Sequence, residues 1–399
     1  MGRKFGRREF LKRGAVASAI AATGLSAVDA LAAAPAPLDF APATAIGGGA
    51  DSFVELADRQ FDSQAFCLSV YDGITPTLAF TATTAAAARD WQRAARARVL
   101  ERLGGLPSHR APLDAQVLET KDFGTYTRER IVFQSRENLS VVGYLLLPKD
   151  RPRPLPVVVA FSGHGRGVDD ILGIAPDGSQ ATQRGVGYAK EYGIQCVEHG
   201  YATFAIEQLA FGSRRDAAAR KAGAGENSCR PAACAALLLG QTMIGWRGWD
   251  AMRGIDYLAT RPEIDITRVA TLGASGGGTT SLFTAALDER VKVAVVSAYF
   301  NTFRDSIISI SHCPDNYVPG LATDMDMSDV AGLIASRFLF VESGRKDPIF
   351  PIAGSEKAMT NARRIFSTLG AADHIGYEIH DGAHEFHGVG AFEFLARRL

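Results

Sequence analysis

The sequence has no surplus of either charge: Lys+Arg and Asp+Glu both number 43 among 399 residues. With no basic field to hold a phosphate backbone, nucleic acid is not an expected partner. Beyond the first thirty residues there is no uninterrupted apolar stretch of the ~20 residues that a bilayer-spanning helix requires, so no stable membrane anchor is expected. Cysteine is scarce: Cys67, Cys196, Cys229, Cys234 and Cys313. An odd number leaves one thiol over if the others pair, and pairing cannot be read from spacing. Cys229 and Cys234 have no C-x-x-C partner pair, so a zinc cluster is not expected, and buried thiols or one disulfide is the reading. Haem, iron–sulfur and dinucleotide motifs are missing, as are internal repeats, so no cofactor is expected. What remains, 47% hydrophobic and 22% charged residues, is globular composition that suits either one large domain or two to three smaller ones.

The chain begins with a segment whose order is basic, then apolar, then small. Gly6 to Lys12 reads G-R-R-E-F-L-K, Gly14 to Ala27 is mildly apolar, and Ala30-Leu31-Ala32 offers small residues to a peptidase. This is the order of an export signal. Arg7 and Arg8 followed by Phe10, Leu11 and Lys12 resemble the twin-arginine signal, which implies the twin-arginine export machinery as a partner and a periplasmic or secreted product. Residues 1–32 are therefore expected to be removed, leaving a chain of net charge −4. Residues 33–50, rich in Ala, Pro and Gly, read as a flexible linker.

Residues 51–399 are expected to form the folded body. Trp91 to Leu103 carries apolar residues at helical spacing and is stopped by Gly104-Gly105, which predicts an amphipathic N-terminal helix. From about Arg128 short apolar runs follow one another: Arg130–Phe133, Val141–Leu147, Pro156–Phe161, Tyr201–Ile206, Val269–Leu272, Val291–Val296 and Phe338–Val341. Runs apolar on both faces belong to strands covered on both sides, as in a parallel sheet. Helical patterns at Trp249–Leu258, Gly276–Leu287, Ser355–Leu369 and Gly390–Leu399 alternate with them. The expected fold class is α/β, a doubly wound and mostly parallel sheet with an N-terminal helical extension.

One constellation carries chemistry. The run Val269–Leu272 leads into Gly273-Ala274-Ser275-Gly276-Gly277-Gly278 and then a helix, which is G-x-S-x-G in the strand–turn–helix context it needs. A side chain at Gly273 or Gly277 would clash where strand and helix cross. A serine hydroxyl attacks only when an imidazole takes its proton, and that imidazole must be oriented by a carboxylate. Asp347, in the loop after Phe338–Val341, is the expected orienting acid, with Glu342 in reserve. Of His374, His380, His384 and His387, the loop position of His384 makes it the expected general base, with His387 as competitor. His380, His384, His387 and Glu385 do not form an H-E-x-x-H helix, so no metal is expected there. Activity should fall as His384 becomes protonated, because an imidazolium cannot accept the serine proton. The oxyanion of a tetrahedral intermediate needs two donors. The Gly276 N–H is one; the second is expected from the loop Ser162–Gly167, at the N–H of Arg166, with Gly165 as runner-up. Ser311–Leu321 and Ala210–Trp249 are expected to shape the pocket.

The order Ser275, Asp347, His384 is that of the α/β-hydrolases. From about Arg128 to Leu399 the chain resembles that superfamily, and within it the serine esterases near dienelactone hydrolases and acetyl-xylan esterases. The matching pieces are Tyr144–Pro148, Gly163-His164-Gly165, Phe211–Arg214, Gly273–Gly277, Lys346-Asp347-Pro348 and Gly382-Ala383-His384. The resemblance implies hydrolysis of carboxylic esters, acetylated carbohydrate or other small esters among them, without a cofactor. Dienelactone hydrolase itself uses a cysteine where this chain has Ser275. Peptidases of the prolyl-oligopeptidase type share the catalytic fold, but the stretch between the linker and Arg128, residues 51–127, is too short for their propeller. A binding module on the same fold would lack a member of the triad.

Overall fold

The computed structural model describes residues 61–399, so the expected signal segment and linker lie outside the described residues. Helices α1 (Ser63–Asp72) and α2 (Ala85–Arg102) come first, and then nine strands form one sheet. The strands are β1 (Gln116–Asp122), β2 (Tyr126–Arg136), β3 (Leu139–Pro148), β4 (Leu155–Phe161), β5 (Ala202–Ile206), β6 (Ile264–Ala274), β7 (Val291–Ser297), β8 (Phe338–Gly344) and β9 (Ile375–His380). Their order is β1-β2-β3-β5-β4-β6-β7-β8-β9. β1, β2 and β3 pair antiparallel, as do β3 and β5, while every pair from β5 through β4 to β9 is parallel.

Between β4 and β5 lie α3 (Val168–Leu172) and α4 (Tyr192–Glu198); between β5 and β6 lie α5 (Ala217–Ala222), α6 (Cys229–Leu238) and α7 (Met243–Leu258). Helix α8 (Gly276–Leu287) joins β6 to β7, and α9 (Leu321–Asp324) and α10 (Met327–Gly332) lie before β8. Helix α11 (Ile352–Thr368) connects β8 to β9, and α12 (Val389–Arg398) ends the chain. No helix among the described residues is long and apolar enough to cross a membrane.

The two-residue period of a strand distributes each apolar run between two cores. In β4, Val157, Val159 and Phe161 enter one core together with Val99 of α2, Ile255 of α7, Leu282 of α8 and Ile365 of α11. Val158 and Ala160 enter the other with Ile171 of α3, Ile194 of α4 and Leu395 of α12. Helices thus cover both faces, and the sheet is the doubly wound, mostly parallel sheet expected from the apolar runs. The helical extension is tied to the body by Arg98 and Arg102 of α2, which meet the buried carboxylate of Asp324 at 3.1 and 2.6 Å.

Several elements carry no sequence signal of the kind used above, strand β1 and helix α6 among them. Strand β1 is exposed along its whole length; an edge strand with no face in a core has no apolar period to betray it. Helix α6 was expected only as part of a pocket-forming segment.

Candidate active site

Parallel strands bring their carboxyl ends to one edge of the sheet, and ligands of open α/β sheets gather there. Loops leaving β4, β6, β8 and β9 at that edge carry Gly163–Gly167, Ser275, Asp347 and His384.

Ser275 stands between β6 and α8 with φ 57° and ψ −124°, a left-handed conformation that costs a residue with a Cβ on the order of 1–3 kcal/mol. Its neighbours explain why the turn is possible. A Cβ on Gly277 would lie on the carbonyl of Phe161, and one on Gly273 would lie on the carbonyl of Gly277. The Ser275 N–H donates to the Ser297 carbonyl at 3.0 Å, and its own carbonyl accepts from Thr279 at 3.0 Å. The bend is therefore pinned on both sides.

Asp347 is buried, and its two oxygens do different work. Oδ1 accepts the backbone N–H groups of Ile349 and Phe350 at 2.8 and 3.1 Å, and Oδ2 meets His384 Nδ1 at 2.8 Å. The same carboxylate caps the turn through Pro348 to Phe350 and orients an imidazole, so its direction is set by backbone. The His384 ring lies between two aromatic faces, Phe350 at 5.7 Å and Tyr188 at 5.9 Å. A hydrogen bond at Nδ1 leaves Nε2 as the nitrogen able to accept a proton.

The reserve candidates are held elsewhere. Glu342 is fully buried and accepts from Ser297 Oγ at 2.7 Å and from the N–H groups of His387 and Gly388 at 2.8 and 2.9 Å. Burial raises its pKa, and these donors pull it down. The His387 ring pairs with Glu378 at 2.9 Å and stacks on His380 at 4.8 Å. His374 meets the Ser336 carbonyl at 3.1 Å.

The expectation for the second oxyanion donor needs correction. The Arg166 N–H donates to Asp170 Oδ2 at 2.7 Å while its Nε donates to Oδ1 at 2.9 Å, so that amide is already taken. The residue turned toward Gly276 is His164. A Cβ placed on Gly276 would lie 3.5 Å from His164 Nδ1 and 3.7 Å from Gly163 Cα. A Cβ on Gly163 would in turn lie 3.1 Å from Ser275 Cβ and collide with the Tyr188 hydroxyl. Gly163 thus allows the β4 loop to reach the serine.

Beneath His164 sits a buried polar cluster contributed by the two segments expected to shape the pocket. Arg247 of α7 donates to Asp315 Oδ2 at 2.7 Å and to Cys229 Sγ at 3.0 Å, and Cys229 donates to the same carboxylate oxygen at 3.3 Å. His164 Nε2 lies 3.5 Å from Asp315 Oδ2. Asn316 donates to Asp315 at 2.8 Å and accepts from Thr279 Oγ1 of α8 at 2.8 Å, which links the cluster to the helix behind the serine. Burial alone would lower the pKa of His164, but the Asp315 carboxylate and Cys229 together outweigh it and the net shift is upward. Burial would raise Asp315, but His164 and Arg247 together hold it far below the ordinary carboxylate range. His312, whose ring lies 5.7 Å from Phe350, is driven by burial down to about 4.

His164, Cys229, Cys313 and Asp315 are residue types that ligate metals, and their ligand atoms lie within 4.8 Å of one another. The guanidinium of Arg247 already donates to two of the four, which places a positive charge where a cation would have to sit. Sequence reasoning missed Arg247 and Tyr188 as part of the site. A buried arginine has no periodic signal, and Tyr188 lies in a long connection with no motif.

Fold, serine turn and imidazole–carboxylate pair together define an α/β-hydrolase. The family model described as Abhydrolase family matches residues 55–322, and the chain belongs to that family. The "Putative hydrolase YtaP" of Bacillus subtilis is 28% identical over 288 residues, covering 70% of this chain and 90% of that protein. Among solved structures, the "putative acetyl xylan esterase" of Bacteroides fragilis superposes with a TM-score of 0.69 at 16% identity, covering 81% of this chain and 82% of that one. A glucuronoyl esterase from Solibacter usitatus gives 0.60 at 16% identity, covering 82% and 99%. At such identities the structural likeness speaks for the fold.

Proposed function

We propose that the chain is an exported serine hydrolase that cleaves carboxylic esters through an acyl-enzyme, with acetylated carbohydrate or other small esters as the substrate class. The observation that carries this reading is the 2.8 Å bond from His384 to a backbone-anchored Asp347, on the same sheet edge as a serine held at positive φ. The names of the structural neighbours, acetyl xylan and glucuronoyl esterases, agree with the substrate class.

In this mechanism His384 Nε2 takes the Ser275 proton as Oγ attacks the ester carbonyl, and Asp347 stabilises the imidazolium that forms. The Gly276 N–H, first of helix α8, and a second donor from the loop Gly163–Gly167 beside it hold the developing oxyanion; the Arg166 amide, already bonded to Asp170, is not that donor. Each such donor is worth about 2.7–4 kcal/mol in comparable sites. His384 returns the proton to the leaving alcohol, and water, deprotonated by the same imidazole, releases the acid. The partners required are the ester and, for delivery, the twin-arginine machinery; the triad chemistry itself uses no cofactor.

Fluorophosphonate labelling tests the nucleophile. The wild type should label once, on Ser275, and Ser275→Ala should fail to label and lose about 10⁴-fold or more in kcat on short p-nitrophenyl esters. A Ser275→Ala protein that labels like the wild type sinks the proposal. Turnover of matched amides faster than esters would move it to the peptidases.

A further inference from the structure

The five cysteines are free thiols in this structure, but they are not equivalent. Cys67 and Cys234 are exposed, and Cys196 lies in the core on the α4 face. Cys229 and Cys313 belong to one apolar cluster, with Ala210, Phe211, Ala233 and Met243. Their sulfurs lie within 4.8 Å of each other. Cys229 is the first residue of α6, and Cys313 caps the short 3₁₀ turn Pro314–Asn316. Neither sits in a strand, and a bond between the sulfurs requires them to close to about 2.05 Å.

We propose that Cys229 and Cys313 are a disulfide-forming pair that staples α6 to the turn carrying Asp315 and Asn316. The pairing does not rest on the esterase reading. Cys313, half-buried, is the thiol an oxidant can reach, and Cys229, fully buried, is the resolving partner. With a glutathione disulfide as oxidant, the Cys313 thiolate attacks one glutathione sulfur and expels the other as thiolate. Cys229 then attacks the Cys313 sulfur and expels the second glutathione. The protein loses two electrons and two protons, and one glutathione disulfide becomes two glutathione thiols. Arg247, which donates to Cys229 Sγ at 3.0 Å, stabilises the thiolate that this second step needs. The neighbouring Cys313 and burial both push the same thiol up, so the reduced pair rests as thiols until an oxidant arrives.

The bond would close a long loop running from α6 through α7, β6, α8 and β7, which is the case in which a crosslink removes most freedom from the unfolded chain. It would also hold in place the wall behind His164 and Gly276. In an oxidising compartment such a staple persists; under cytosolic reduction it opens.

The test uses the purified full chain, reduced and then exposed to oxidised glutathione without denaturant. Free thiols are alkylated, and the protein is digested and mapped by mass spectrometry without reduction. A Cys229–Cys313 crosslinked peptide with two thiols lost to alkylation is expected, together with a Tm at least about 3 °C above that of the reduced protein. In Cys313→Ser the shift should vanish. The proposal is overturned if both thiols stay alkylatable, if Cys67 or Cys234 supplies the crosslink, if the oxidised and reduced proteins melt together, or if the purified chain carries stoichiometric zinc on this cluster.

Discussion

Glu207 shows how a single side chain can couple two loops of the site to pH. Its carboxylate accepts the N–H groups of Val168 and Ser213, each at 3.2 Å, so it joins the loop after β4 to the loop after β5. Gly167 and Gly212 press against it so closely that a Cβ on either would meet its oxygens. Burial pushes its pKa from 4.5 up to about 7, against the pull of the Ser213 and Val168 amides. A carboxyl raised in the folded state keeps a proton that the unfolded chain has already released. Its contribution to stability is therefore whole below the unfolded value of about 4.5 and shrinks as pH climbs toward about 7, by about 3 kcal/mol at most. Urea unfolding of the wild type and Glu207→Gln at pH 5 and pH 8 should give a stability difference that favours the wild type more at the lower pH. A difference unchanged between the two would show that Glu207 is not buried as described. The residues proposed as the triad were legible at this scale for local reasons. Ser275 announces itself because glycines are needed at 273 and 277 on either side of it, and Asp347 and His384 because they sit in short loops just past strands. Arg166 misled because its amide is claimed by Asp170 four residues on, a side-chain bond that no strand–loop pattern reveals.

At the scale of elements, the close crossing of β6 and α8 on β4 decides where the serine stands. Intrinsic helix propensity would make Gly277→Ala stabilising by up to about 1 kcal/mol. The Phe161 carbonyl, which occupies the place of the new methyl, argues the opposite sign and an overpacking cost of about 1–3 kcal/mol or more. Gly248, inside α7, has open space where a methyl would stand and is the control. Denaturant midpoints should fall for Gly277→Ala and stay level or rise for Gly248→Ala. A rise for both would mean the strand and helix are not in contact there. The central strands from β4 to β8 could be read from the chain because their apolar runs are covered on both faces. The all-exposed β1 could not, since an edge strand outside both cores leaves no trace in hydrophobicity. Helix α8 was placed residue for residue, because glycines at its start and Asp288 at its end bound it locally.

For the whole molecule, the doubly wound sheet gathers four loops from widely separated parts of the chain onto one edge, and the proposed chemistry belongs to that edge. Where this body works is a matter of the segment before it. If residues 1–32 are the proposed twin-arginine signal, fusing them to a folded reporter should deliver it to the periplasm, and changing Arg7 and Arg8 to lysines should keep it in the cytoplasm. A fusion exported equally well with the lysine pair, or in cells without the twin-arginine translocase, would rule the route out. Delivery to an oxidising compartment would also be the setting in which the Cys229–Cys313 pair closes.

Periodicity, glycine placement and residue order were enough to establish the fold class and to mark Ser275, Asp347 and His384, because each depends on neighbours a few residues away. Tertiary structure alone decided that Asp170 takes the Arg166 amide, which carboxylate reaches the imidazole, and that Arg247, Asp315, His164 and two thiols meet in one buried cluster. Those outcomes depend on distances between residues far apart in the chain, set by how two cores pack against a sheet, and no local pattern encodes them.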